Sequence, residues 1–513
     1  MALANFFEKT ALGAAQILQG IDYDSFKSIV EAHRVGIFFD RAATSSAEGR
    51  HTLHLSVDLL ARLYPKLAIM YDGEDGRALF DELVESARAI NPEIEITDND
   101  SAPTVILAIG ATRSPGSVPT IYVGSEGWIV KISGDGPVQS GPTENPFGAG
   151  AAACFGAANV FRIVFGDHLP EGRVIDSFSM SLLDYEPNAS VPLNPELEHV
   201  HLGETHLVGI GAIGSGAIWA LSRSQNLTGS LELVDHEVLD LTNLQRYTGT
   251  TQADVGSAKV SVAVSCFSES DLKVHPHQMT WGEYLKERGN WILERVAVAV
   301  DSAEDRRSIQ AALPAFIINS WTQAGELGVS RHCFLGEDAC LLCLYFPASG
   351  AKSEDEIIAE AIGLPEHLKE VRHLLYTGAL VERELIERIA AALGVPADPL
   401  LSFIGQPLRA FYTGAICGGV VLKLGGKAGG TGVHAQVPLA FQSALAGIML
   451  AVELVAHAGA IRPMAPIVRT SIDVMRPLRS HLNFSAKKHS SGQCICQDDD
   501  YVEAYKSKYL TQK

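Results

Sequence analysis

The sequence predicts the α/β class, organised as two doubly wound halves with a helical insert in the second. Three observations lead there. Strand-like apolar runs alternate with helical patterns in two separate stretches, a glycine-rich turn opens the second stretch directly after a strand, and an acidic, purely helical stretch interrupts it. Such alternation builds mostly parallel sheets covered by helices. The 513 residues also exceed the ~250 at which a single core stops growing.

In the first half, residues 1–190, the apolar run Val35–Phe39 reads as a strand, 53–63 as a helix and 67–71 as a second strand. A helix over 77–90 follows, then strands over 94–96 and 104–109 and a hairpin made of 120–123 and 128–132. The Pro/Gly-rich 134–146 leads into a small-residue helix, 148–164, and 185–195 reads as a linker.

The second half, residues 196–513, resumes with strands over 206–210, 231–234 and 296–300. Between about 349 and 401 the pattern is acidic and helical without strand signal, as expected of an inserted subdomain. The longest apolar stretch, 437–461, is interrupted by Gln442, Ser443, Glu453 and His457, which fits a buried core helix better than a membrane span.

Forty Lys and Arg stand against sixty Asp and Glu, a formal charge of −20. No basic run offers a footprint for phosphate backbones, so nucleic acid is not an expected partner. The first residues lack the basic and apolar pattern of an export leader, and no membrane association is expected. A cytoplasmic location follows, where the eight cysteines should be thiols, catalysts or metal ligands rather than disulfides.

Gly209, Gly211 and Gly214 have G-x-G-x-x-G spacing between a strand and a helix, the context in which glycines admit phosphates to a helix N-terminus. Asp235 ends the next strand, placed to accept bonds from ribose hydroxyls. An earlier G-x-G-x-x-A, at Gly148, Gly150 and Ala153, follows prolines and no apolar strand, so it is not expected to bind a ligand. By itself the glycine motif suits a nicotinamide dehydrogenase equally well. Past Asp235, however, come Glu237, Asn243-Leu-x-Arg246 and Gly256-x-x-Lys259, then Asp301 with Arg306 behind another strand. Cations beside a phosphate loop suit a reaction that expels pyrophosphate, which hydride transfer does not require.

These motifs closely resemble the ThiF/MoeB and ubiquitin-activating adenylyltransferases, over roughly the whole second half. The resemblance implies two Rossmann-like halves, an inactive N-terminal one and an active C-terminal one, forming an internal pseudo-dimer, with a homodimer on another surface still open. It implies ATP at Gly209, Gly211, Gly214, Asp235, Glu237, Asn243 and Arg306, catalytic Arg246 and Lys259, and Asp301 serving Mg2+ and ATP. Glu237, Gln245 and Tyr247 depart from the family's usual residues. The family's arginine donated by the partner half has only Arg34 and Arg41 as candidates.

Cys340-x-x-Cys343 and Cys494-x-Cys496 supply four thiolates for one tetrahedral, structural Zn2+ that would staple the C-terminus; the first pair resembles the family's, and the second is shorter. Of the remaining cysteines, Cys154, Cys266 and Cys333 read as core packing. Cys417 lies in a glycine-rich segment, about 405–436, where Lys423, Lys427 and His434 are expected to lower its pKa. It resembles the family's thioester cysteine. Length, inactive first half and candidate cysteine together are similar to the activating enzymes of bacterial ubiquitin-like conjugation operons, antiphage ones included. Their partners would be a ubiquitin-like protein and a ubiquitin-conjugating-like enzyme. The alternatives are a sulfur-carrier or peptide adenylyltransferase that stops at the acyl-adenylate, and a non-catalytic scaffold for a ubiquitin-like partner.

Overall fold

The computed structural model describes residues 2–18, 21–73, 76–99, 102–115, 117–347, 352–425, 437–463 and 465–510. In the first sheet, β1 (Val35–Phe39), β2 (Lys66–Tyr71), β3 (Glu95–Thr97), β4 (Val105–Ile109) and β5 (Thr120–Glu126) run parallel in the order 3-2-1-4-5. The antiparallel β6 (Ile129–Ser133) and β7 (Phe178–Ser181) extend its edge. In the second, β8 (Val200–Val208), β9 (Leu227–Val234), β10 (Leu272–His277), β11 (Arg295–Val298) and β12 (Phe316–Gln323) are parallel in the order 10-9-8-11-12. There the antiparallel edge is β13 (Glu326–Cys333), β14 (Arg469–Ile472) and β15 (Asn483–Phe484).

The second sheet repeats the order of the first over seven strands and adds β15, and each inserts a long helix between its sixth and seventh strands: Pro146–Val164 and Ala440–Ala458. Both helices are apolar enough to cross a membrane, yet each is 94% buried inside the protein. They meet where the two halves join. A Cβ on Gly150 would lie 2.5 Å from the Trp219 ring and 2.8 Å from Ile448, and one on Gly447 would lie 2.2 Å from the Ile213 carbonyl oxygen. Gly150 thus serves close packing between the two halves, and Gly148 packs against the turn between β5 and β6, where a Cβ would lie 2.5 Å from the Gly127 carbonyl oxygen. One apolar core runs through both sheets.

Two buried charge groups fix the packing. Arg62 of the first half pairs with Asp58 (2.8 Å) and donates to the carbonyls of Leu244 (2.5 Å) and Thr250 (2.9 Å) in the second. Glu453, in the middle of the helix Ala440–Ala458, is buried against Arg331 and Arg462. Despite burial, those guanidiniums hold its carboxyl down to about 2.

The insert contains helices Glu354–Ala361, Leu368–Thr377 and Arg383–Leu393 around a core of its own, including Ile358, Ile386, Ile389 and Phe411. That core also takes in Ala415, Ile416 and Val421. The cysteine segment is therefore an extension of the insert, which the sequence pattern had ended near 401. Cys154 is buried as expected, whereas Cys266 and Cys333 are exposed and are not core residues.

Candidate active site

The site is built at the C-terminal ends of β8, β9 and β11, where open α/β sheets place ligand chemistry. Gly209 leaves β8 with φ +91, the left-handed region that glycine enters freely, and its N–H is held by the Val234 carbonyl at 3.0 Å. A Cβ on Gly214 would stand 2.2 Å from the Gly209 carbonyl oxygen, so only glycine lets the helix Ala212–Ser222 start so close to the strand. Gly211 faces open space, with the Tyr247 hydroxyl the nearest group at 3.5 Å. Backbone can therefore approach a phosphate there, beside the helix's unpaired N–H groups.

Asp235 closes the loop from the β9 side. It accepts the Ile210 N–H at 2.7 Å and the Glu237 N–H at 2.8 Å. A short antiparallel link, Val238 to Ala258 with the Lys259 N–H on the Glu237 carbonyl (3.1 Å), brings Glu237 and Lys259 together. Gly256 turns the chain for that link at φ +89. Lys259 is buried, ion-paired with Glu237 and bonded to the Tyr247 hydroxyl at 3.0 Å. Burial works against its charge, but Tyr247, Asp235 and Glu237 together raise its pKa above the ordinary lysine value. Glu237 moves the other way, below the usual carboxylate range, because Lys259 outweighs its own desolvation.

Asn243 spends its side-chain oxygen on the Asp240 N–H (3.0 Å), closing a capping box around the short 3-10 helix Leu241–Gln245. That turn presents Arg246, whose guanidinium lies 5.6 Å from the Tyr247 ring centre. Asp301 lies exposed just past β11. Arg306 is buried behind it: it donates to Asn319 (2.9 Å) and to the carbonyls of Ser302 (3.1 Å) and Ser320 (3.2 Å), tying the turn after Asp301 to β12. Arg34 is bound to Glu95 and Thr97 beside β3.

Cys417 caps the π-helix Tyr412–Ile416 and is 8% exposed. Burial raises its pKa, opposed by Lys9, a hydrogen bond with Tyr412, and Arg246. The charges it senses are thus not those expected from neighbouring sequence. Lys423 is taken by Glu8 at 2.6 Å, and Lys427 and His434 lie outside the described residues. Lys9 comes from the first helix, Phe7–Ala15, and is itself lowered to about 8 by burial and by Arg246. No local pattern marks Lys9, since more than two hundred positions separate it from either neighbour.

The four sulfurs of Cys340, Cys343, Cys494 and Cys496 are buried and lie within 4.8 Å of one another. Cys340 to Cys494 is 3.5 Å and Cys343 to Cys496 is 3.6 Å. A tetrahedron with Zn–S bonds of about 2.3 Å has sulfurs about 3.8 Å apart, so the donor set fits zinc, without an open position for a water.

Residues 190–494 match the model of the ThiF family. The chain belongs to the ThiF family. In keeping with this ATP-using adenylyltransferase family, the second sheet carries a glycine loop, an acidic pair and Lys259 past the C-terminal ends of its central strands. Residues 38–166, on the other sheet, match a family described as Prokaryotic E2 family C. The chain is 46% identical, over 99% of its length and 98% of the relative's, to the uncharacterized protein y4jF of Sinorhizobium fredii. Among solved structures, it is similar to E. coli MccB with ATP (14% identity, TM-score 0.33, 57% of this chain and 66% of that one). A complex of the microcin C7 biosynthetic enzyme MccB with N-formylated MccA compares similarly (14%, TM-score 0.35, 56% and 66%). The ThiF-family chain thus spans just under two thirds of those two structures.

Proposed function

We propose that this ThiF-family protein adenylates the C-terminal carboxylate of a ubiquitin-like protein, takes the acyl group onto Cys417 as a thioester, and hands it to a conjugating enzyme in the cytoplasm. The observation that carries the first step is the buried, strongly basic Lys259 fixed beside the glycine loop. A carboxylate oxygen bonds to the α-phosphorus of ATP while the bond to the β-phosphate oxygen breaks. Negative charge gathers on the departing pyrophosphate, where Arg246 and Lys259 offset it from a preorganised site. Gly211 leaves room for the phosphates, and Asp235 orients the loop by holding the Ile210 N–H. Exposed carboxylate oxygens, Asp301 foremost, suit Mg2+, which when bound screens the phosphate oxygens.

In the second step the thiol of Cys417 gives up its proton to water, the sulfur bonds to the acyl carbon, and the bond from that carbon to the AMP phosphate oxygen breaks to release AMP. Lys9 and Arg246 favour the thiolate there. The match of the first half to a prokaryotic E2 description supports a place in ubiquitin-like conjugation. One observation favours the simpler reading, an adenylyltransferase of a peptide or sulfur carrier that releases its acyl-adenylate: Cys417 is buried and its pKa is raised.

Incubation with magnesium, ATP and candidate ubiquitin-like proteins, followed by non-reducing gels, separates the two. A reducible adduct is expected with the wild type and is absent from Cys417→Ala and Asp301→Ala. ATP/pyrophosphate exchange that persists in Cys417→Ala, with no adduct in any protein, assigns the simpler reaction.

A further inference from the structure

Beside Lys259, a cavity of about 350 Å3 is lined by the helices Ala212–Ser222 and Lys259–Ser265. Ile210, Ser215, Tyr247 and Lys259 form the wall it shares with the nucleotide loop, whereas Gly209, Gly211, Asp235, Arg246 and Asp301 do not line it.

Its lining is unusual for a void left by packing. Arg223 lies partly buried along one side, stacked 4.8 Å from the Trp219 ring centre. The guanidinium bonds through Nη1 alone, to the Trp219 carbonyl (3.2 Å) and Ser222 Oγ (3.4 Å), and among the described residues it has no ion pair. Its Nε and Nη2 donors are without a partner among the described residues. Guanidiniums out of bulk water are ordinarily paired with an anion. A second group is also unpartnered: the Thr248 hydroxyl is buried in the same wall and makes no hydrogen bond. Buried polar groups left open in this way ask for an explanation such as a bound ligand or water. Between them Ile218 and Trp219 offer apolar and aromatic surface, while the only carboxylate on the lining, Glu269, is exposed at the rim.

We infer that this cavity is a second ligand site, for a small amphipathic carboxylate whose acid group sits on Arg223 and the Thr248 hydroxyl and whose aryl or aliphatic body lies against Trp219 and Ile218. Its floor is the Tyr247–Lys259 pair, so a ligand there touches the back of the group that serves the phosphates. The site does not depend on which acyl acceptor the enzyme uses.

The probe is 4-iodobenzoate, titrated by calorimetry into the full chain. Saturable one-to-one binding is expected, with Kd raised about tenfold or more by Arg223→Met, the loss of one charge-assisted contact, and less by Thr248→Val. Circular-dichroism melting curves identify any variant that fails to fold, and the other then carries the test. Binding is expected to persist when the nucleotide site is filled with magnesium and a non-hydrolysable ATP analogue, and a soaked crystal should show the iodine beside Trp219. The inference is overturned by an absence of saturable binding, by equal affinity in folded Arg223→Met, by competitive displacement with the analogue, or by an iodine seen elsewhere.

Discussion

Where β8 ends, Gly209 swings into a left-handed turn and leaves the N-terminus of the following helix open to an incoming phosphate. Where β1, its counterpart, ends, Asp40 stands instead, with its carboxylate buried and accepting the N–H groups of Ala43 (3.1 Å), Ala111 (2.8 Å) and Thr112 (2.7 Å). Gly110 makes room for it: a Cβ there would lie 2.1 Å from the Asp40 oxygen. The same topology thus yields one corner that awaits an anion and one that supplies its own. Burial alone would push the Asp40 pKa up, but the donors from Thr112, Ala43 and Ala111 keep it below the ordinary value. The two corners therefore differ in the residue that ends the strand, not in the sheet that carries it.

The comparison can be broken most forcefully through the second half's core helix. Glu453→Gln leaves Arg331 and Arg462 facing each other without their shared carboxylate and should cost about 3–5 kcal/mol in chemical unfolding. The charge also sets a pH signature. With its folded pKa near 2, below the ordinary 4.5, Glu453 contributes stability that is fully present above 4.5 and is lost as pH falls towards 2. Wild type should lose this contribution over that window, and the variant should show a flatter profile.

Next in size is the reaction itself. Lys259→Ala should lower ATP/pyrophosphate exchange by about 10²–10³-fold, the usual cost of one preorganised donor. An unchanged exchange rate would sever the lysine from the chemistry.

The smallest effect sharpens the contrast between corners. Asp40→Asn replaces an acceptor-only group with one that presents an amide to backbone donors, and should lower stability by about 1–3 kcal/mol while leaving the exchange rate alone. Loss of exchange in a protein that still melts normally would mean that the first corner takes part in catalysis after all.

Much of this was legible beforehand because it depends on local rules. Apolar runs such as Val35–Phe39 announce strands, and the spacing of Gly209, Gly211 and Gly214 after a strand announces the loop. The cysteine pairs announced the sulfur cluster, although 154 positions separate Cys340 from Cys494. What stayed hidden depends on distant packing. Tyr247 stood out only as a departure until its hydroxyl was seen on Lys259. Lys9 reaches Arg246 and Cys417 only because Gly419 lets the Glu8 backbone come close, where a Cβ would be 2.3 Å from the Glu8 carbonyl oxygen. The partners of Arg306, Asn319 and Ser320, lie on a strand more than ten positions further on, so its spacing from Asp301 could not announce them.

The helical insert leaves the second half after β13, and the chain rejoins it through the core helix Ala440–Ala458 and β14, which pairs directly with β13 through Leu327 to Ile472 and Ser330 to Arg469. The two ends of the excursion are therefore tied at its base, by backbone pairing and again by the sulfur cluster. A protease that nicks the chain within the insert would leave two fragments that still travel together. By the same logic, shortening the insert in this chain should not ask the nucleotide-binding sheet to refold around the change.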